Sequence, residues 1–212
     1  MKPVKIAILS LTHGHTRKYF QTLHDNPGLE WVAGSAETPE IRDVFYHYGY
    51  HEIPCYMSDD EMFDAHPEIE AVVIASANSR HLEQVKNCAR RGIHVLSMKI
   101  PSFNLEEYDE MMRVVEESGI VFQIELEMHY NQIGNVSSFN ATNITLSPVW
   151  AFPWQGVPEL SWGSRVPLRE GDPRFRGGAL CDHPHIFDTI RWLTGSDYEY
   201  IYAEVGPNIR PD

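Results

Sequence analysis

A chain of 212 residues with 42% apolar side chains is long enough for one large domain or two small ones, and too apolar to stay disordered. Acidic residues outnumber basic ones by 30 to 17, and the resulting net charge of −13 repels phosphate backbones and argues against nucleic acid as a partner. Three dispersed cysteines without a C-x-x-C pair, and no apolar run near the ~20 residues of a membrane span, argue against a disulfide framework, a structural zinc site and a membrane anchor; a reduced, cytoplasmic setting is expected.

Val4–Leu9 reads as a strand and His15–Asp25 as the helix after it, with Tyr19, Phe20 and Leu23 on one side. Leu29–Gly34 is a second strand, and Pro39–Tyr48 carries Ile41, Phe45 and Tyr48 at helical spacing. Ser58-Asp59-Asp60-Glu61 is a capping box that opens a short helix. Ala71–Ser76 is an apolar run typical of a strand buried on both faces. The next helix turns Leu82, Val85 and Ala89 inward and stops near Gly92. A strand over Ile93–Met98, a helix capped by Asn104 and Glu107 and closed by Gly119, and a strand over Ile120–Leu126 complete the alternation.

Strands and helices alternating in this way specify an α/β fold, a doubly wound parallel sheet of Rossmann type spanning residues 1–126. Ligands of such sheets sit at the carboxyl ends of the strands, which here carry Ser10–His15, Ala36-Glu37, Ser76–His81 and Ser97–Pro101. The character changes after Glu127. Residues 147–178 are rich in Pro, Gly, Trp and Arg, as in a long loop; a helix runs from near Asp182 to Thr194, and Tyr198–Val205 alternates like a strand.

Two groups could carry chemistry. Asp182 and His185 are three apart at a helix start, an imidazole beside a carboxylate suited to moving a proton; the alternative is that Asp182 merely caps the helix. Lys99 follows an apolar strand, where an ammonium can polarise a carbonyl or stabilise an alkoxide; the alternative is a solvated lysine. The pairs His13/His15 and His183/His185 lack a third ligand at familiar spacing, so no metal is expected.

Four stretches in order resemble the Gfo/Idh/MocA family of glucose–fructose oxidoreductase and inositol dehydrogenase relatives. They are the N-terminal strand–turn–helix, "VVIASANSRHLEQVKNCARRGIHVL", "SMKIP" in place of E-K-P, and "RGGALCDHPHIFDTIRWLTG". The resemblance implies NAD or NADP as cofactor and a sugar, inositol or related polyol as substrate. It also implies a second domain over 127–212, α+β with an open, mostly antiparallel sheet, and a homo-oligomer of two or four. It implies catalytic roles for Lys99, Asp182 and His185, and a cofactor site formed by Ser10, Thr12, His13, Gly14, His15, Glu37, Ser76, Asn78, His81 and Lys99.

The departures from the family pattern are specific. Ser10, Thr12 and His15 replace the three fingerprint glycines, Gly14 is out of phase, and Glu37 stands one place beyond the usual ribose acid. Met98 and Ile100 flank Lys99 where glutamate and proline are usual, and the short Asp182–His185 spacing lets His183 compete with His185. Family members continue past position 212 and carry a helix where Asn131 and Gln132 abut, which implies missing residues at both places. A rival reading is a sugar- or nucleotide-sensing protein that keeps the fold without catalysis, and a third is altered chemistry such as a lyase or hydrolase.

Overall fold

The computed structural model describes residues 2–12, 16–102, 104–126 and 184–202. These fall into two bodies, one holding the residues up to Glu125 and the other holding His185 onward. The first is a six-stranded sheet of β1 (Val4–Leu9), β2 (Leu29–Ser35), β3 (Cys55–Tyr56), β4 (Ala71–Ile74), β5 (His94–Ser97) and β6 (Phe122–Ile124). All pairings are parallel and the order is β3-β2-β1-β4-β5-β6. The chain reverses its direction of travel across the sheet between β1 and β4, the place where a doubly wound fold opens its ligand crevice.

Parallel strands buried on both faces divide their side chains by the period of two. Ala7, Leu9, Val72 and Ile74 join one core, with α3 (Asp59–Ala65), α4 (His81–Arg91) and α5 (Leu105–Ser118) supplying Met62, Val85, Cys88 and Met111. Ile6, Ile8 and Val73 point the other way, toward Phe20 and Leu23 of α1 (Thr16–Asp25) and Phe45 of α2 (Pro39–His47). That second face is aromatic: Phe20 stacks on Trp31 with centroids 5.5 Å apart, and meets Phe45, Tyr48 and Tyr50 edge-on. Each such buried ring contributes roughly 1.5–3 kcal/mol.

The helix ends follow local chemistry. Ser58 caps α3 by accepting from the Glu61 amide at 3.1 Å, and Thr38 caps α2 with Pro39 at its first position. Asn104 caps α5 by accepting from the Glu106 amide at 2.8 Å, while Glu107 takes the Ser102 hydroxyl at 2.9 Å instead of closing a capping box. Gly92 and Gly119 close α4 and α5 at φ 70°, a left-handed position that only glycine occupies without penalty.

In the second body, α6 (Pro184–Thr194) begins with proline in its first turn. The strand expected from Tyr198 does not form over residues 198–202. Tyr198 folds back instead, donating its hydroxyl to the Phe187 carbonyl at 3.0 Å and meeting the Phe187 ring edge-on at 5.8 Å. A strand exists only through pairing, and this segment uses its polar tip locally. The sheet expected over 127–212 lies outside the described residues, apart from these. No helix among the described residues is long and apolar enough to cross a membrane.

Candidate active site

Ser10 and Thr12 open the turn after β1. Ser10 stands at φ 64°, in the left-handed region that a first fingerprint glycine would occupy freely. Local bonds hold it there. The Ser10 amide donates to the Ser35 hydroxyl at 3.3 Å, and its own hydroxyl lies 2.7 Å from that of Thr12 and donates to Glu37 Oε2 at 2.7 Å. The Thr12 amide donates to the Ala75 carbonyl at 3.0 Å, which ties the turn to the end of β4.

The left-handed conformation costs a non-glycine residue about 1–2 kcal/mol. Ser10→Gly is therefore expected to change stability by less than about 1 kcal/mol, since relief of strain offsets the lost hydroxyl bond and the added chain entropy. Ser10→Val, branched at Cβ where φ is positive, is expected to cost about 2–4 kcal/mol in urea-induced unfolding. Equal effects from the two would show that the turn is not strained.

Glu37 also accepts from Arg80 Nη1, and Arg80 Nη2 lies 3.3 Å from Asp59 Oδ2. Gln84 donates to the same Asp59 oxygen at 2.8 Å and accepts from the Ser76 hydroxyl. The ends of β1, β2 and β4 and the starts of α3 and α4 are thus joined by one polar network. Arg80, Asp59 and Gln84 were not visible as site residues in the sequence. Asp59 belongs to the capping box that opens α3, a local use that hides its long-range bonds.

On the β4–β5 side, Asn78 donates to the Ile100 carbonyl at 2.6 Å. His81 is fully buried, with Nε2 lying 3.3 Å from the Ser76 carbonyl and Nδ1 facing no hydrogen-bond partner. Burial pushes its pKa down to about 4, opposed by the carbonyls of Ser76, Ile100 and Pro101. The ring is therefore neutral in the folded state, with its proton on Nε2. Because the unfolded value is higher, at 6.5, the unfolded chain binds the extra proton between pH 6.5 and 4, and stability falls as pH falls through that window. His81→Gln is expected to lose about 3 kcal/mol less than the wild type between pH 7 and 4, measured by urea unfolding at both pH values.

Lys99 follows β5, is 1% exposed, and precedes a cis peptide bond to Ile100. Met98 turns into the aromatic-side core. His185 is half-buried in the first turn of α6, and the Thr189 hydroxyl donates to its carbonyl at 2.6 Å. His13, Gly14, His15 and Asp182 lie outside the described residues. The structure thus brings Ser10, Thr12, Glu37 and Ser76 into one network through Arg80, Asp59 and Gln84, with His81 at its edge on the Ser76 carbonyl. Asn78 binds the loop that follows Lys99, and His185 belongs to the other body. Among the described residues, no three His, Cys, Asp or Glu side chains are disposed to hold a metal ion.

Known proteins resemble this chain in sequence and in fold. The chain is 24% identical over 172 residues to the uncharacterized oxidoreductase YrbE of Bacillus subtilis, covering 76% of this chain and 46% of that protein. It is 24% identical to 2,7-anhydro-N-acetylneuraminate hydratase of Mediterraneibacter gnavus, covering 68% of this chain and 38% of that protein. It is also 24% identical to myo-inositol 2-dehydrogenase of Thermotoga maritima, covering 65% of this chain and 40% of that protein. The chain thus spans less than half the length of each of these relatives. A presumptive dehydrogenase from Bordetella bronchiseptica superposes with a TM-score of 0.69 at 22% identity, over 92% of this chain and 50% of that one. A family model for oxidoreductases with an NAD-binding Rossmann fold matches residues 13–126, more than half of the chain. That match takes in α1 and everything from β2 to β6, with Glu37, Asp59, Arg80 and Gln84 of the bonded network, and by it the chain belongs to the Gfo/Idh/MocA oxidoreductase family.

Proposed function

We propose that this chain is part of an NAD(P)-dependent oxidoreductase that moves a hydride between the nicotinamide and a hydroxyl-bearing carbon of a sugar, inositol or related polyol. The observation that carries the reading is Lys99, an amine 1% exposed at the carboxyl end of a central parallel strand. Burying an ammonium is costly, and a fold keeps one where negative charge develops on a ligand. The dinucleotide fits the neighbouring turn, because Ser10 at φ 64° keeps the backbone course that glycine would give. Ser10, Thr12, Glu37 and Asn78 supply polar groups at the strand ends, and His13, Gly14, His15, Ser76 and His81 complete the proposed cofactor set.

When bound, the nicotinamide supplies the hydride acceptor. An imidazole nitrogen of His185 takes the proton of the substrate hydroxyl, Asp182 orients that hydroxyl, and Lys99 offsets the negative charge growing on its oxygen. The polyol class is favoured by the likeness to a myo-inositol dehydrogenase. The reading extends to residues 127–212 as the start of a substrate and oligomerisation domain. The exposed Tyr200, Ile201 and Tyr202 favour a homo-oligomer there, and the free thiols of Cys55 and Cys88 favour a cytoplasmic setting.

The test is calorimetric titration of both oxidised nicotinamide dinucleotides, followed by absorbance at the reduced-nicotinamide band with a panel of polyols. Binding followed by reduction with at least one polyol is expected. No binding of either nucleotide at about 1 mM, a limit near −4 kcal/mol, would overturn the reading.

A further inference from the structure

The network at the strand ends contains an arginine for which the proposed hydride chemistry has no use. Arg80 donates through Nη1 to Glu37 and sets Nη2 3.3 Å from Asp59 Oδ2. Asp59 is fixed from behind by the Ser35 hydroxyl and by Gln84 Nε2 at 2.8 Å. The second oxygen of Glu37 accepts the Ser10 hydroxyl at 2.7 Å. Each Glu37 oxygen therefore has one lone-pair direction filled by protein and one left open. The side chains of Glu37 and Arg80 are 27% and 39% exposed and that of Asp59 only 13%, so the first two are open to a ligand in solution while Asp59 is largely covered.

We propose that the Glu37–Arg80–Asp59 bridge decides between the two nicotinamide cofactors, by holding Glu37 ready to accept both hydroxyls of an unesterified 2′,3′-diol and by keeping Arg80 from a 2′-phosphate. The inference rests on the reading that the chain binds a nicotinamide dinucleotide. An acid near the end of the second strand is general to such folds; what is specific here is that Arg80 and Asp59 act as positioning residues behind it. A planar guanidinium shared by two carboxylates removes the rotational freedom that Glu37 would otherwise lose on binding the ribose. A phosphate monoester at neutral pH carries about 1.5 to 2 negative charges, and it would face two carboxylates against one guanidinium. With its charge offset by two carboxylates and one N–H of each Nη directed at them, Arg80 offers that phosphate little net attraction while the bridge stands. Arg42, in the first turn of α2, is a further cation near the end of β2: burial pushes the Cys55 thiol up and the field of Arg42 opposes that push.

The experiment is calorimetric titration of NAD+ and NADP+ into the full chain and its variants, with melting temperature alongside. The wild type is expected to bind NAD+ at least about tenfold more tightly. Glu37→Gln should weaken NAD+ about tenfold, by loss of charged hydrogen bonds, and strengthen NADP+, so that the ratio falls to one or inverts. Adding Arg80→Ala to Glu37→Gln should abolish the NADP+ gain, because the released guanidinium is its source. Arg80→Gln alone should weaken NAD+ several-fold, and Arg80→Lys should recover part of that loss.

A purely structural role would weaken both nucleotides alike and leave the ratio unchanged, which would overturn the proposal. So would unchanged NAD+ affinity in Arg80→Gln. NADP+ bound as tightly as NAD+ by the wild type, and lost in Arg42→Ala, would also overturn it and move cofactor choice to α2. Failure of both nucleotides to bind would instead remove the oxidoreductase reading, and this inference with it.

Discussion

Replacement of His185 by asparagine is expected to lower kcat by roughly two to four orders of magnitude while leaving the melting temperature nearly unchanged. Asparagine keeps a polar group there but cannot take up a proton near neutral pH, so the substitution separates orientation from proton transfer. The fold should tolerate it. The residue is half-buried with its ring nitrogens covered, asparagine places a smaller polar group in the same space, and the first turn of α6 is held by its proline start and by the Thr189 hydroxyl on the His185 carbonyl, neither of which uses the imidazole. His183→Asn in parallel should cost much less. The reverse ranking would transfer the role to His183, and small, equal effects would remove this helix from the proton-transfer step.

Lys99→Met is expected to reduce kcat/KM by about two to three orders of magnitude, the scale of losing one preorganised charge at a developing oxyanion. At 1% exposure the amine is held where the effective penalty for an ion is several kcal/mol, and its polar interactions offset part of that penalty. An unbranched apolar side chain of similar length fills the same space but leaves those interactions unmatched, so a modest fall in melting temperature is expected beside the loss of activity. Lys99→Arg should not restore activity, because a planar guanidinium is larger and delivers its charge over a fork rather than at a point. A fall in kcat/KM of less than tenfold would place Lys99 away from the reacting centre.

Much of this scaffold could be read from local pattern. The apolar runs at Val4–Leu9 and Ala71–Ile74 are buried strands, and Gly92 and Gly119 end helices where expected. Strands two residues long are beyond any periodicity argument, and β3, which extends the sheet past β2, was invisible for that reason. The candidate site divides in the same way. Ser10, Thr12, Glu37 and Asn78 lie at strand ends, which topology marks as ligand positions. The bonds among them join residues far apart in sequence: Glu37 and Arg80 are separated by 43 positions and Asp59 and Gln84 by 25. A side chain such as Asp59 has one local use as a helix-start residue and another through long-range bonds, and only the packed structure shows the second.

The uneven distribution of rings across the sheet gives the α/β body a one-sided optical signature. Near-ultraviolet circular dichroism arises from aromatic side chains held in fixed asymmetric surroundings. Trp31 is held in this way by its stacking on Phe20 and by its indole N–H, which donates to the Ala33 carbonyl at 3.0 Å. Phe20 belongs to α1, the helix that begins just after the turn carrying Ser10 and Thr12. The difference spectrum between wild type and Trp31→Phe therefore reports how firmly that helix is seated, and it does so without any turnover. The opposite face, where Val72, Val85 and Met111 pack, contributes little to that difference and is followed instead through amide hydrogen exchange. Loosening of the cofactor turn can in this way be told apart from loosening of the sheet's other side within a single sample.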